Sequence, residues 1–223
     1  MLFDGLTPEQ VDAKIDAMSE QEFADFQTLL LDINDWESWV KINCSQATKS
    51  EFAPRHRRLW GWFEALAPGK VVRPHFEIWA RGGAKTSSVE LGITYVAARQ
   101  TRSFVLIVSS TQLQANQRVK NIAAHLLHIG IGAAVDEYGT RKGWSRYQLQ
   151  TDSGIIIVAC GLDADVRGIM VENFRPDLIV LDDIDSPLDT EAIIATKIEN
   201  LTGKLLPAGS SDCAILCTQN LIQ

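Results

Sequence analysis

The sequence predicts an α/β fold in which a mostly parallel central sheet is flanked by helices, and three observations predict it. Residues 73–91 (RPHFEIWARGGAKTSSVEL) run from an apolar segment (Phe76, Ile78, Trp79) through a glycine turn, Arg81-Gly82-Gly83-Ala84-Lys85-Thr86, into good helix formers from Ser87 onward. Further on, residues 176–185 (PDLIVLDDID) form a short β-branched-rich run that ends in consecutive carboxylates, the pattern of a central parallel strand buried on both faces. Between and beyond these two stretches, strand-like and helix-like segments alternate, which builds a helix-covered sheet.

Composition narrows the classes. At 223 residues the chain can bury one good core, with room for a small helical appendage. A hydrophobic content of 46% and a charged content of 22% are those of a soluble globular protein. No apolar run approaches membrane-span length and the start, MLFDGLTPEQ, is not a signal peptide. Cytosolic residence and no membrane partner are therefore expected. Residues 1–50 carry ten acids against Lys14, Lys41 and Lys49, a balance of −7 that equals the net charge of the whole chain. The remainder is neutral and carries no basic footprint that would announce nucleic acid by itself. Cys44, Cys160, Cys213 and Cys217 show neither disulfide nor zinc spacing and read as buried thiols, and His125 and His128 read as ordinary helix residues.

The elements follow in order. Thr7-Pro8-Glu9-Gln10 reads as an N-cap with proline in the first helical position, and Ser19 with Glu22 repeats the capping pattern for a second helix through Phe23, Phe26, Leu29 and Leu30. Asn34 or Asp35 caps a short third helix around Trp36 and Trp39. Residues 1–50 thus form an acidic helical region, and the polar stretch 43–54, ending at Pro54, reads as a linker to a core over 51–223. Arg55 to Leu66 forms an amphipathic helix, whose aromatics are either core or a frame for a base. The apolar run at 76–79 reads as a buried strand, followed by a helix to about Arg99. Strand 104–108 then leads to Ser109-Ser110-Thr111, which caps a long helix through Leu127. Glycine-rich residues 130–143 read as an exposed loop, and Asp152-Ser153-Gly154 between two apolar runs reads as a hairpin turn. The strand 178–182, a helix over about 189–204 and a last strand 214–218 complete the core.

The order strand, glycine turn, Lys-Thr, helix is the one a phosphate-binding loop needs. Glycines let backbone N–H groups crowd around a polyphosphate, the helix N-terminus faces it, a lysine reaches the β/γ oxygens and a threonine hydroxyl holds Mg²⁺. Against G-x-x-x-x-G-K-[ST] the match departs twice, with Trp79 at the first glycine and Ala84 at the last. A glycine turn entering an ordinary helix would look the same if it stood alone. The second motif completes the pattern: Asp182 would share Mg²⁺ with Thr86, and Asp183 would polarise the attacking water. Adjacent acids at a strand end are otherwise a solvated turn or a helix cap. Beside an upstream Lys-Thr turn, the nucleotide reading is the better one.

Over roughly residues 52–223 the chain resembles the ATPase domain of the large subunit of tailed-bacteriophage terminases, and the resemblance rests on several motifs in order. ARGGAKT at 80–86 is similar to that family's phosphate loop, in which an arginine precedes the glycines and the last glycine can be alanine. SSTQLQA at 109–115, Val166-Arg167-Gly168, Arg175-Pro176-Asp177 running into LIVLDDID, and Ile215-Leu216-Cys217-Thr218-Gln219-Asn220, similar to the coupling motif, follow in turn.

The resemblance implies a P-loop NTPase fold of the additional-strand type and a motor that hydrolyses ATP, with Mg²⁺, to drive double-stranded viral DNA into a procapsid. It places phosphate binding on Arg81, Gly82, Gly83, Ala84, Lys85, Thr86 and Ser87, metal binding on Thr86 and Asp182, and catalysis on Asp183 with Arg81. Asp185 stands in reserve for Asp183, because many relatives carry glutamate at the catalytic position. Thr218 would couple hydrolysis to movement, and Arg167 would be lent to a neighbour's site in a ring, unless it is simply a surface arginine in a tight turn. The implied partners are DNA, the portal protein, the small terminase subunit and further copies of the chain, a monomer when isolated. The implied location is the host cytoplasm at the procapsid portal. The chain stops just past the coupling motif, so no nuclease domain and no nuclease activity are expected. Two other readings stay open: a nucleotide-binding fragment silent on its own that docks to packaging proteins, and another P-loop motor such as a helicase.

Overall fold

The computed structural model describes residues 7–23, 35–44, 51–162 and 174–221. The chain divides into two units, Met1–Glu51 and Phe52–Gln223.

In the first unit, helix α1 (Pro8–Asp16) opens with the expected capping box. The Thr7 N–H donates to Gln10 Oε1 at 2.9 Å and the Gln10 N–H donates to Thr7 Oγ1 at 3.4 Å, so two orphan donors of the first turn are met. Ser19 and Glu22 make the same reciprocal pair, at 2.9 and 3.3 Å. Asp35, rather than Asn34, caps α2 (Trp36–Asn43), its carboxylate accepting from the N–H groups of Glu37 and Ser38. A further bond from the Ser38 hydroxyl, the largest influence on it, holds the Asp35 carboxyl below its usual range. Trp36, Trp39 and Val40 are buried. Phe26, Leu29, Leu30, Asn34 and linker residues 45–50 lie outside the described residues.

The second unit is a six-stranded sheet in the order β1-β6-β5-β2-β4-β3. Its strands are β1 (His75–Trp79), β2 (Phe104–Ser109), β3 (Gln148–Gln150), β4 (Ile156–Gly161), β5 (Leu178–Asp182) and β6 (Ala214–Asn220). Every pairing is parallel except β3 with β4, the hairpin expected around Asp152–Gly154, whose register sets Leu149 opposite Ile157. The helices are α3 (Pro54–Glu64), α4 (Lys85–Arg99), α5 (Gln112–His128) and α6 (Glu191–Asn200), which continues as a π turn (Leu201–Leu205) and a last helical turn (Leu206–Ala208). This is the mostly parallel, helix-flanked α/β fold that the alternation of segments predicts.

Central position explains which strands are wholly apolar. All residues of β2 and β5 are buried, and Leu106, Val108, Ile179 and Leu181 form one core cluster with Cys160, Leu162, Ile184 and Leu205. Cys213 and Cys217 pack against that cluster half-buried, and burial pushes the Cys213 thiol up to about 11. Close approach of α3 to α4 depends on Gly92, because a Cβ there would lie 2.2 Å from the ring of Phe63.

One expectation is corrected. The apolar run at 76–79 is not a buried strand: Phe76 and Ile78 are 67% and 65% exposed, while Glu77 and Trp79 are 3% exposed. β1 stands at the sheet edge, paired with β6 alone, and alternate side chains of a strand point to opposite faces. Glu77 tolerates its position because Trp79 Nε1 donates to it at 2.6 Å, Arg58 at 3.3 Å, and His75 Nε2 lies at 3.0 Å. Burial alone would raise its carboxyl; these bonds outweigh burial and hold it below the usual range.

Candidate active site

The glycine turn follows β1 and delivers the chain into α4. Gly82 has φ 77 and Ala84 φ 57; the left-handed region costs a residue with a Cβ roughly 1–2 kcal/mol. Ala84 is held there from both sides. The N–H and hydroxyl of Ser88 donate to the Ala84 carbonyl at 2.9 and 2.8 Å. His56 Nδ1 accepts from the Ala53 N–H at 3.1 Å, which leaves Nε2 to donate to the Gly83 carbonyl at 2.9 Å. The His56 ring stands edge-on to Trp79, 5.0 Å between centroids, and the Arg55 guanidinium lies 5.5 Å over the same indole. Helix α3 therefore braces the turn from outside.

Lys85, the first residue of α4, turns its side chain inward and leaves 3% of it exposed. Its ammonium lies 2.5 Å from Asp183 Oδ1 and 3.6 Å from Asp182 Oδ1, at the C-terminal end of β5. That end of a parallel sheet is where open α/β folds bind ligands. Asp182 is 1% exposed; Thr218 Oγ1 donates to its Oδ1 at 2.8 Å and Arg118 Nε donates to its Oδ2 at 2.8 Å. Asp183 leaves the strand with φ 50, which swings its carboxylate round toward Lys85. Its own N–H donates to the Thr218 carbonyl at 2.9 Å, and its carboxylate accepts from the Asn220 N–H at 2.9 Å and Asn220 Nδ2 at 2.8 Å. The parallel register that sets Asp182 opposite Thr218 brings β6 to both acids.

Behind the acids, Arg118 Nη1 lies 3.7 Å from Glu90 Oε1, and Asn121 Nδ2 donates to the same oxygen at 3.0 Å. Burial holds the Glu90 carboxyl above its ordinary value against the pull of Asn121 and Arg118. In front, a cavity of about 520 Å³ is lined by Arg81, Ser110, Gln114, Asp183, Asp185 and Asn220, among others.

The structure thus gathers Lys85, Asp182, Asp183 and Thr218 into one network and sets Arg81 on the wall of the adjoining cavity. Thr86 is half-buried in the first turn of α4 and Ser87 is exposed. Asp185 pairs its backbone with the Gln219 side chain, at 3.3 Å in each direction. Arg167 lies outside the described residues. Arg118, Glu90 and Asn121 have no signal in the sequence, since each is one polar residue on a long amphipathic helix. Asn220 does stand in a quoted motif, though without a role.

Thr86, Asp182 and Asp183 offer hard oxygen donors, the kind Mg²⁺ takes. Among the described residues no group of three or more His, Cys, Asp or Glu forms a metal cage. By donor type these oxygens suit this ion, which keeps several waters and shares phosphate oxygens.

No family model matches the chain, and no curated protein matches it. Solved structures similar to it include the large terminase from a thermophilic bacteriophage, at 11% identity and a TM-score of 0.49, covering 77% of this chain and 39% of that one. The N-terminal domain of the DNA packaging ATPase from bacteriophage phi29 matches at 12% identity and a TM-score of 0.46, over 77% of this chain and 80% of that one. A large terminase ATPase domain from a Thermus phage matches at 12% identity and a TM-score of 0.42, over 77% and 70%. Likeness of this degree assigns neither an activity nor a residue role.

Proposed function

We propose that this chain is the ATPase motor domain of a phage large terminase, hydrolysing ATP to move double-stranded DNA into a procapsid. The observation that carries the reading is the junction of the glycine turn with β5: the Lys85 ammonium lies 2.5 Å from Asp183 and 3.6 Å from Asp182, beside the 520 Å³ cavity. Two sequence motifs that a nucleotide site needs are thereby joined across the sheet.

The residues divide the work as follows. Lys85 exchanges Asp183 for the β/γ oxygens, and the N–H groups of the turn surround the phosphates. Arg81 meets the same oxygens from the cavity wall. Thr86 and Asp182 would hold Mg²⁺, which when bound would offset the charge of the phosphates. Asp183, still gripped by Asn220 through two bonds of 2.9 and 2.8 Å, orients the attacking water and draws its proton. Thr218 touches Asp182, and its neighbour Gln219 holds the Asp185 backbone, so β6 has the contacts to pass a change at the acids into the following loop. Arg167 is assigned to a neighbouring copy's site in the assembled ring. DNA, the portal protein and the small terminase subunit are the partners this reading takes, with a core over 51–223 and an acidic helical region over 1–50.

Lys85→Ala tests it. ATP turnover, followed as phosphate release, is expected to fall by at least about 100-fold while circular dichroism still reports a folded chain. Unchanged turnover in the folded variant overturns the reading. Strand separation by the active chain would move it to the helicase alternative.

A further inference from the structure

We propose that Arg118 is a positioning residue that fixes Asp182 for the metal ion, and that Glu90 and Asn121 fix Arg118 in turn. The inference rests on the reading above, because it concerns the metal that accompanies ATP.

A carboxylate 1% exposed is tolerated only when charge and hydrogen bonds on the protein replace water. Asp182 meets this condition through three groups. Oδ1 accepts from the Thr218 hydroxyl at 2.8 Å and faces the Lys85 ammonium at 3.6 Å, and Oδ2 accepts from Arg118 Nε at 2.8 Å. Lys85 is the one that must turn away to reach phosphate, and Thr218 is neutral. Once Lys85 has moved, Arg118 is the single cation within ion-pair distance of Asp182 among the described residues. It also commits Oδ2, so that Oδ1 is the oxygen facing Lys85 and the nucleotide side.

The guanidinium is itself held at two edges. Nε engages Asp182, and Nη1 lies 3.7 Å from Glu90, a residue of the helix that Lys85 begins. Asn121, one turn along α5 from Arg118, donates to Glu90 at 3.0 Å and keeps that carboxylate in place. The planar fork of an arginine suits such a two-sided grip, and a lysine ammonium, a point donor, does not reproduce it. The chain of contacts therefore runs from α4 through α5 to the end of β5, and none of Glu90, Asn121, Arg118 and Asp182 lines the cavity beside Asp183.

The test uses the whole chain and a fluorescent ADP analogue, titrated with excess chelator and then across a range of Mg²⁺ concentrations. In chelator, Arg118→Ala is expected to bind the analogue within about twofold of wild type, because no contact of Arg118 reaches the turn. With Mg²⁺, the half-saturating metal concentration is expected to rise about 10-fold or more, the size of effect seen when groups that orient metal ligands are removed. Arg118→Lys and Glu90→Gln should shift it in the same direction by less, which keeps the proposal testable if Arg118→Ala fails to fold. Equal Mg²⁺ dependence in wild type and the folded variants overturns the assignment. So does an equal loss of binding with and without metal, which would mark Arg118 as merely structural. A wild-type chain that binds no analogue under either condition overturns the nucleotide reading as well.

Discussion

Lys85 at the start of α4 and Lys197 in α6 are both buried, 4% and 8% exposed, and each ammonium lies 2.5 Å from an aspartate. Their surroundings differ. Lys197 reaches back to Asp189 and also donates to the Ile184 carbonyl at 2.6 Å, closing its own loop. Among the described residues no other group donates to that carbonyl. Lys85 pairs with carboxylates that keep other partners: Asp183 retains Asn220, and Asp182 retains Thr218 and Arg118. A buried lysine–aspartate pair is therefore not a site by itself. What marks Lys85 is that it can move without leaving a buried group orphaned.

The comparison predicts opposite outcomes for the two lysines. Lys85→Ala should abolish turnover, the largest effect expected, whereas Lys197→Met should leave binding of a fluorescent nucleotide within about twofold and lower the melting midpoint by about a few degrees. Loss of nucleotide binding in a folded Lys197→Met chain would erase the distinction.

Asn220→Ala sharpens it from the side of the acid. Once Lys85 has gone to the phosphates, Asn220 is what still orients Asp183, so turnover should fall roughly 10- to 100-fold while nucleotide affinity holds. Steady-state kinetics beside equilibrium binding separate these outcomes.

Acid titration probes the other pair. Hydrogen bonding to Lys197, the largest influence, holds the Asp189 carboxyl below its ordinary 3.8. Its contribution to stability is then present above about pH 4 and lost as pH falls through the lower folded value. The gap in melting midpoint between wild type and Lys197→Met should stay level from about pH 8 to 5 and narrow below about pH 4, leaving the share carried by the Ile184 carbonyl.

The smallest effect concerns the turn. Ala84→Gly removes the cost of a Cβ at φ 57 and adds the entropy of a glycine, a net gain in stability of no more than about 1 kcal/mol in denaturant unfolding.

Much of this was legible along the chain. Thr7 caps its helix as read, and Asp35 and Thr111 do so from within Asn34-Asp35 and Ser109-Ser110-Thr111, the stretches the sequence marks, because capping bonds join residues two or three apart. The hairpin at Asp152–Gly154 and the wholly buried β2 and β5 follow from local turn chemistry and unbroken apolar runs. Reading Phe76 and Ile78 as buried failed because apolar content does not say whether a strand stands at the centre of a sheet or at its edge. Gly83 had an evident reason to exist, but nothing local says that His56 donates to its carbonyl.

The sequence by itself determined the α/β class, the glycine turn with Lys85 and Thr86, and the two acids closing a central strand, since each is set by interactions among near neighbours. The tertiary structure alone decided who holds those acids. Lys85 meets Asp183 across 98 positions of chain, Arg118 meets Asp182 across 64 and Thr218 meets it across 36. Those meetings depend on strand order and on the register that sets Asp182 beside Thr218, and a slip of one residue in that register would turn the Thr218 side chain to the opposite face of the sheet, away from Asp182.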